Sequence, residues 1–390
     1  MQTVYMDHVA ATPLPNEVIE AMRPFFADRF GNPQSVHDVG NRAAQAVEDA
    51  RTEVAGLIGA RADEIIFSAS GSEANSMAVK GMALANQVKG DHIVVSAIEH
   101  FSVLHSTKTL RKLGFKVTEV PVDDKGIVDP EAVGKILTPR TILVSIMLAN
   151  NEIGTLEPVP EIARITRERS IPFHTDAVAA VGSIPVNVED LGVDALTLGG
   201  QAFRGPQGTG ALWLKKGTRI MPLVEGGIQE GGRRAGTENV PALAGMGKAA
   251  SMAAASLADW TLHLLPIRDE LARRLTTDID DVILTGHPER RLPNHVSVCV
   301  EGIEGEAMLL LLAQEGIFAS SGSACTSRAL KASHVLLALG LDAGLAQGSI
   351  VFTLGPDNRP DEVPYVIDVF SRVVARLRAM SPVYQKKNKN

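Results

Sequence analysis

Cysteine is nearly missing from this chain. Two stand among 390 residues, Cys299 and Cys325, so a framework of disulfides is excluded and a reducing, cytoplasmic setting is expected. Aromatic residues make up only 4%, which leaves the core to aliphatic side chains and alanine. Basic residues are in deficit, 38 against 45 acidic, for a formal net charge of −7. No basic face for nucleic acid is therefore expected. Long hydrophobic runs are absent as well. The longest, "TILVSIML" and "AMLLLLA", fall far short of the ~20 residues that span a bilayer. The first residues carry neither a basic stretch nor an apolar one of the secretory kind. A soluble cytoplasmic protein without membrane or nucleic-acid partners is the expectation. The closing "QKKNKN" is a short basic tail, read as solvated or as a docking tail for an acidic partner.

What the chain does have is 45% apolar content, ample for a large core. Short β-rich runs alternate with helical patterns. "EIIFSAS", "DHIVVSA", "TILVSIM", "IPFHTDA", "DALTLGG" and "GALWL" read as strands. Most are apolar on both faces, as buried parallel strands are. The stretch 41–59 puts Ala43, Val47, Ala50, Val54 and Leu57 on one helical stripe and stops at Gly59. Alternation of this kind predicts an α/β domain with a mostly parallel sheet. A helical stretch near 241–276 reads as a connector to a smaller α+β domain. We place the large domain at 15–260, and a small domain, carrying the Cys325 loop, at 1–14 plus 261–390.

Ligands of such sheets sit beyond the carboxyl ends of the strands, and the residues there are the candidates. Gly71 and Ser72 open a helix after a strand, where backbone N–H groups point at an anion; a plain cap by Ser70 or Ser72 is the alternative. His100 follows a strand. Asp176 ends an apolar strand, and a carboxylate buried there requires a partner. Asn150 and Asn151 follow "TILVSIM". Cys299 alternates within "VSVCV" and reads as core. Cys325 lies in "ASSGSACTSRAL", a run of small polar residues that reads as a mobile loop, and is the candidate reactive thiol.

In this order "YMDHVAATP", "FGNPQSVH", "IIFSASGSEAN", "ILVSIMLANNEIGT", "HTDAVAAVG", "RGPQGTGALWL", "GGIQEGGRRAGTEN", "NHVSV" and "SSGSACTS" resemble the cysteine desulfurases, pyridoxal-phosphate (PLP) enzymes of the class V aminotransferase family. The resemblance runs nearly end to end. It implies the PLP-transferase type I fold, with a seven-stranded mainly parallel sheet in the large domain, and a homodimer with its active site near the subunit interface. It implies that His100 stacks on the cofactor ring and handles protons. It also implies that Asp176 pairs with the ring nitrogen, that Asn151 lies near the substrate carboxylate, and that Gly71 and Ser72 cup the phosphate. Thr237 would reach the phosphate of the other subunit. The loop cysteine, here Cys325, becomes a persulfide in that family.

The departures cluster. The family's turn reads Ser-x-His-Lys where this chain has Gly199-Gly200-Gln201-Ala202. Ala202 thus stands where the resemblance places the lysine that binds PLP. Ala179 replaces a glutamine, and Val351 an arginine that clamps the substrate carboxylate. The thiol loop, in contrast, is intact. Three readings follow. In the first, the chain works without covalent PLP, with Cys325 as sulfur acceptor or, with a partner's ligands, as an iron–sulfur cluster ligand. Its partner would then be a scaffold or sulfur-carrier protein. In the second it is an active desulfurase or lyase with PLP held noncovalently, His100 replacing the lysine as base and Arg204 and Arg233 or Arg234 binding anions. In the third it is an inactive partner subunit.

Overall fold

The computed structural model describes residues 2–322, 332–382 and 384. In chain order the strands are β1 (Val4–Tyr5), β2 (Ile65–Ser68), β3 (His92–Ser96), β4 (Lys116–Val120), β5 (Thr141–Ser145), β6 (Phe173–Asp176), β7 (Ala195–Gly199), β8 (Gly210–Leu214), β9 (Val282–Leu284), β10 (His295–Val300), β11 (Ile317–Phe318) and β12 (Ser349–Thr353). Seven of them form one sheet in the order β2-β8-β7-β6-β5-β3-β4. β8 runs antiparallel to both neighbours, and the remaining pairs are parallel. Every residue of β2, β3 and β5 to β8 is buried, which is why these strands read as unbroken apolar runs. β4 is the edge. Its Lys116 and Glu119 face solvent, as suits a strand whose outer hydrogen-bonding groups are open.

Helices cover both faces. Asp38–Leu57 buries the stripe Ala43, Val47, Ala50, Val54 and Leu57, and Gly59, at φ +65°, turns the chain away. This helix crosses the first turns of a 38-residue helix, Val240–Thr277. The backbones approach so closely that a Cβ on Gly247 would lie 2.6 Å from the Cα of Ala50, so only glycine fits there. The long helix belongs to two cores. Leu243, Met246 and Ala250 pack into the core of the seven-stranded sheet. Leu264, Ile267 and Leu271 pack with Phe352 and Phe370 in a second core. That second core lies on the antiparallel sheet β12-β10-β9. The N-terminal segment joins it: β1 pairs with β11 and Asp7 bridges Thr353. No helix among the described residues is long and apolar enough to cross a membrane.

Candidate active site

A cavity of about 440 Å³ opens where the carboxyl ends of the parallel strands meet the second sheet. β3 delivers Glu99 and His100, β6 ends in Asp176, and the turn after β7 supplies Gln201 and Ala202. The second sheet closes the far side with His295, Val351 and Thr353. Of the candidates, Gly71, Ser72, His100, Asn151, Asp176 and Ala202 all line this cavity. Thr237 is exposed and is not among its lining residues. Cys325 lies outside the described residues.

Asp176 is buried. Its Oδ2 accepts a hydrogen bond from Asn75 Nδ2 at 2.6 Å and its Oδ1 one from the Val178 amide at 3.0 Å. Burial raises its pKa, and the nearby His100 and these hydrogen bonds oppose the rise. Asn75 Nδ2 also donates to Ser102 Oγ at 2.9 Å, and Ser102 Oγ lies 2.7 Å from His100 Nδ1. Asn75 closes the strand-end segment 70–75 where ligand-facing residues were expected, but the sequence assigned no role to it or to Ser102. Asn75 is four residues into the helical segment after β2, and Ser102 is two residues past His100; only the fold joins them. The helix Gly71–Ser76 is capped by Ser70, whose Oγ accepts from the Glu73 amide, so the capping alternative holds for Ser70 and not for Ser72.

Two more carboxyls line the cavity. Glu99 is fully buried; its Oε1 accepts from Ser96 Oγ at 2.6 Å and from the Met147 amide at 2.9 Å, and burial pushes its pKa up to about 8. Glu152 accepts from Ser333 Oγ and is likewise pushed up to about 8 by burial. Two imidazoles of the cavity wall, His295 and His8, go the other way. Burial lowers His295 to about 3 and His8 to about 4, so both are neutral near pH 7. The wall is thus poor in positive charge. Among the described residues Arg204 is the lining arginine, and it is held by Asp357 at 3.1 Å. The other cations considered as anion ligands are engaged elsewhere. Arg234 bonds Glu73 at 2.8 Å, and Arg233 donates to the Glu230 carbonyl at 3.2 Å. Among the described residues no lysine lines the cavity. No group of three or more His, Cys, Asp or Glu side chains among them is placed to hold a metal ion.

The departures noted in the sequence lie together. Ala179, Gln201, Ala202 and Val351 all line the cavity. Gly199 is coupled to Gln201: a Cβ at position 199 would lie 2.8 Å from Gln201 Oε1, so the glutamine side chain occupies space a larger residue at 199 would need. Val351 is buried in β12, its amide and carbonyl exchanging hydrogen bonds with Ser320 at 2.8 and 3.0 Å. Cys299 is fully buried in β10, and burial pushes its thiol up to about 12.

The family model for aminotransferase class-V matches residues 4–366. The chain belongs to that family, among relatives named cysteine desulfurases. It is 48% identical over 383 residues to cysteine desulfurase IscS of Dictyoglomus turgidum, covering 98% of this chain and 97% of that one. It is 43% identical over 382 residues to cysteine desulfurase IscS 1 of Archaeoglobus fulgidus, covering 98% and 100%. A solved NifS-like protein superposes with a TM-score of 0.91 at 35% identity, over 96% of this chain and all of the other. The α/β PLP-transferase fold expected from the sequence is therefore the fold of this chain, its seven-stranded sheet mixed through β8. PLP is the cofactor this family implies. The cavity fits it on one side: Asp176 is a buried acid that can meet a ring nitrogen, and His100 presents an aromatic ring beside it. Bound there, the group would supply an electron-withdrawing ring. On the other side the fit fails, because no amine among the described lining residues can hold it covalently.

Proposed function

We propose that this chain serves sulfur transfer in iron–sulfur cluster assembly, on a cysteine desulfurase framework but without a Schiff-base lysine. The observation that carries this reading is the cavity wall: Ala202 stands in the turn after β7, and no lysine lines the cavity among the described residues. The missing carboxylate clamp at Val351 supports it too, since a free amino acid's carboxylate would meet apolar surface there. Burying such a charge without a partner costs several kcal/mol. Cys325, in the intact "SSGSACTS", is then the working group. Its thiolate attacks the outer sulfur of a persulfide on a donor protein. The donor's S–S bond breaks and the donor leaves as a thiolate, so one sulfur moves with no net oxidation. Ligation of a cluster together with a scaffold protein's ligands is the other use of the same thiolate. A homodimer completes the proposal. Exposed Phe26, Phe30, Val36 and Ile228 support it, on segments that adjoin where Gln34 meets Glu238. Thr237 would then act across the pair.

A second reading has specific support. The relatives at 43–48% identity carry the name cysteine desulfurase, and this favours an active enzyme, with PLP held noncovalently, over a non-catalytic chain. Sulfide release separates the two. Under the first reading the purified chain, given L-cysteine, PLP and a reductant, releases no sulfide above a protein-free control. Ala202→Lys alone does not restore release, because Gly199, Gln201, Ala179 and Val351 are unchanged. Cys325→Ser abolishes sulfur or cluster retention in the partner complex. Steady sulfide release by the unaltered chain would overturn the first reading and establish the second.

A further inference from the structure

His100 is the N-cap of the helix Phe101–Lys112, and its Nδ1 accepts the Ser102 amide at 3.2 Å. An amide nitrogen can only donate, so Nδ1 uses its lone pair and carries no proton. The second contact of that nitrogen, Ser102 Oγ at 2.7 Å, has its direction set from further away. Asn75 Nδ2 stands 2.6 Å from a carboxylate oxygen of Asp176 and 2.9 Å from Ser102 Oγ. The atom facing the carboxylate is the amide nitrogen, because a carboxylate accepts. Its two hydrogens serve Asp176 and Ser102. Ser102 Oγ therefore accepts from Asn75 and turns its own hydrogen toward His100. Each link in the chain from Asp176 to His100 has one donor sense.

We infer that Asn75 and Ser102 are positioning residues that hold His100 as its Nε2–H tautomer, so that toward the cavity it offers a proton donor and not a base. Among the described residues, Nδ1 is engaged and Nε2 has no hydrogen-bond partner, while the residue itself lines the cavity. The inference is independent of whether the chain releases sulfide. It removes His100, in its resting state, as the base that would stand in for a lysine. It leaves His100 suited to meet an acceptor such as a thiolate or persulfide sulfur. The imidazole is tied to the acid at the end of β6 through two side chains, Asn75 and Ser102.

The test is the protonation pattern of His100 in the full chain, read from nitrogen-15 chemical shifts of histidine-labelled protein. The His100 signal is assigned by its loss in His100→Gln. We expect Nε2 protonated and Nδ1 bare. Ser102→Ala removes one of the two donors to Nδ1, worth about fivefold in the tautomer ratio for a single neutral hydrogen bond, and shifts the population toward Nδ1–H by that factor. Ser102→Thr keeps a hydroxyl and keeps the native pattern, while Asn75→Ala moves it in the same direction as Ser102→Ala. A native chain with the proton on Nδ1 would overturn the inference, and so would a Ser102→Ala spectrum indistinguishable from the native one.

Discussion

Glu99→Gln should shift stability in favour of the variant as pH rises from mild acid to alkaline. Glu99 is fully buried, one of its oxygens accepts two hydrogen bonds, and the other, Oε2, has no partner. The protonated acid leaves one buried hydrogen there and glutamine two, a cost that does not vary with pH. Burial raises the group from the ordinary 4.5 to about 8. In the unfolded chain the proton leaves near the ordinary value; in the folded chain it stays until about pH 8. Between those values the folded state binds more protons, so stability is fully present below the ordinary pKa and falls as pH rises toward 8. At 1.36 kcal/mol per unit, the loss is about 3 kcal/mol at pH 7 and ~5 kcal/mol above pH 8, as an upper bound. Glutamine does not titrate and escapes it. Urea denaturation of both forms at pH 5.5, 7 and 8.5 reads the difference: the glutamine form's midpoint should rise relative to the native one as pH rises. Parallel pH profiles for the two forms would refute the reasoning, because Glu99 would then be ionised in the folded protein at no cost.

Glu230→Ala should destabilise the fold by about 3–5 kcal/mol in urea denaturation, since it strands the buried Arg51, now held at 2.7 and 2.9 Å. Glu230 also accepts the Phe67 amide at 2.8 Å, so the same change orphans a donor of β2. Asp176→Asn should weaken noncovalent binding of PLP by at least about tenfold in a fluorescence titration, the value of a hydrogen bond to a charged group; equal affinities would show that Asp176 does not face the ring nitrogen.

The sheet was legible because its strands are buried on both faces and their runs are unbroken. The edge strand β4 was not: "KVTEV" half faces water and carries no such run. β9, a three-residue strand with Ile283 exposed, is equally mute. The positions of His100, Asp176 and Ala202 around one cavity follow from the rule that strand ends carry ligands. The hydrogen-bonded path from Asp176 through Asn75 and Ser102 to His100 joins three segments distant in the chain, and no spacing announces it. Glu99 sits at a strand's carboxyl end beside His100 and Glu152 just past Asn151, but nothing in the sequence marks either as a buried acid. Their burial, which makes them neutral acids in the cavity wall, is a product of packing against Met147 and Ser333. Arg204 and Arg234 looked free to bind anions; the fold supplies Asp357 and Glu73 as their partners.

The central claim is that this family's cavity works here without a covalent hold on PLP. Intact-mass measurement of the full chain tests it, after incubation with excess PLP, borohydride reduction and removal of unbound cofactor. The account predicts the unmodified mass, with no stoichiometric pyridoxyl adduct. A stoichiometric adduct mapped by peptide sequencing to a single lysine would contradict it, because another amine would then have taken the place left by Ala202.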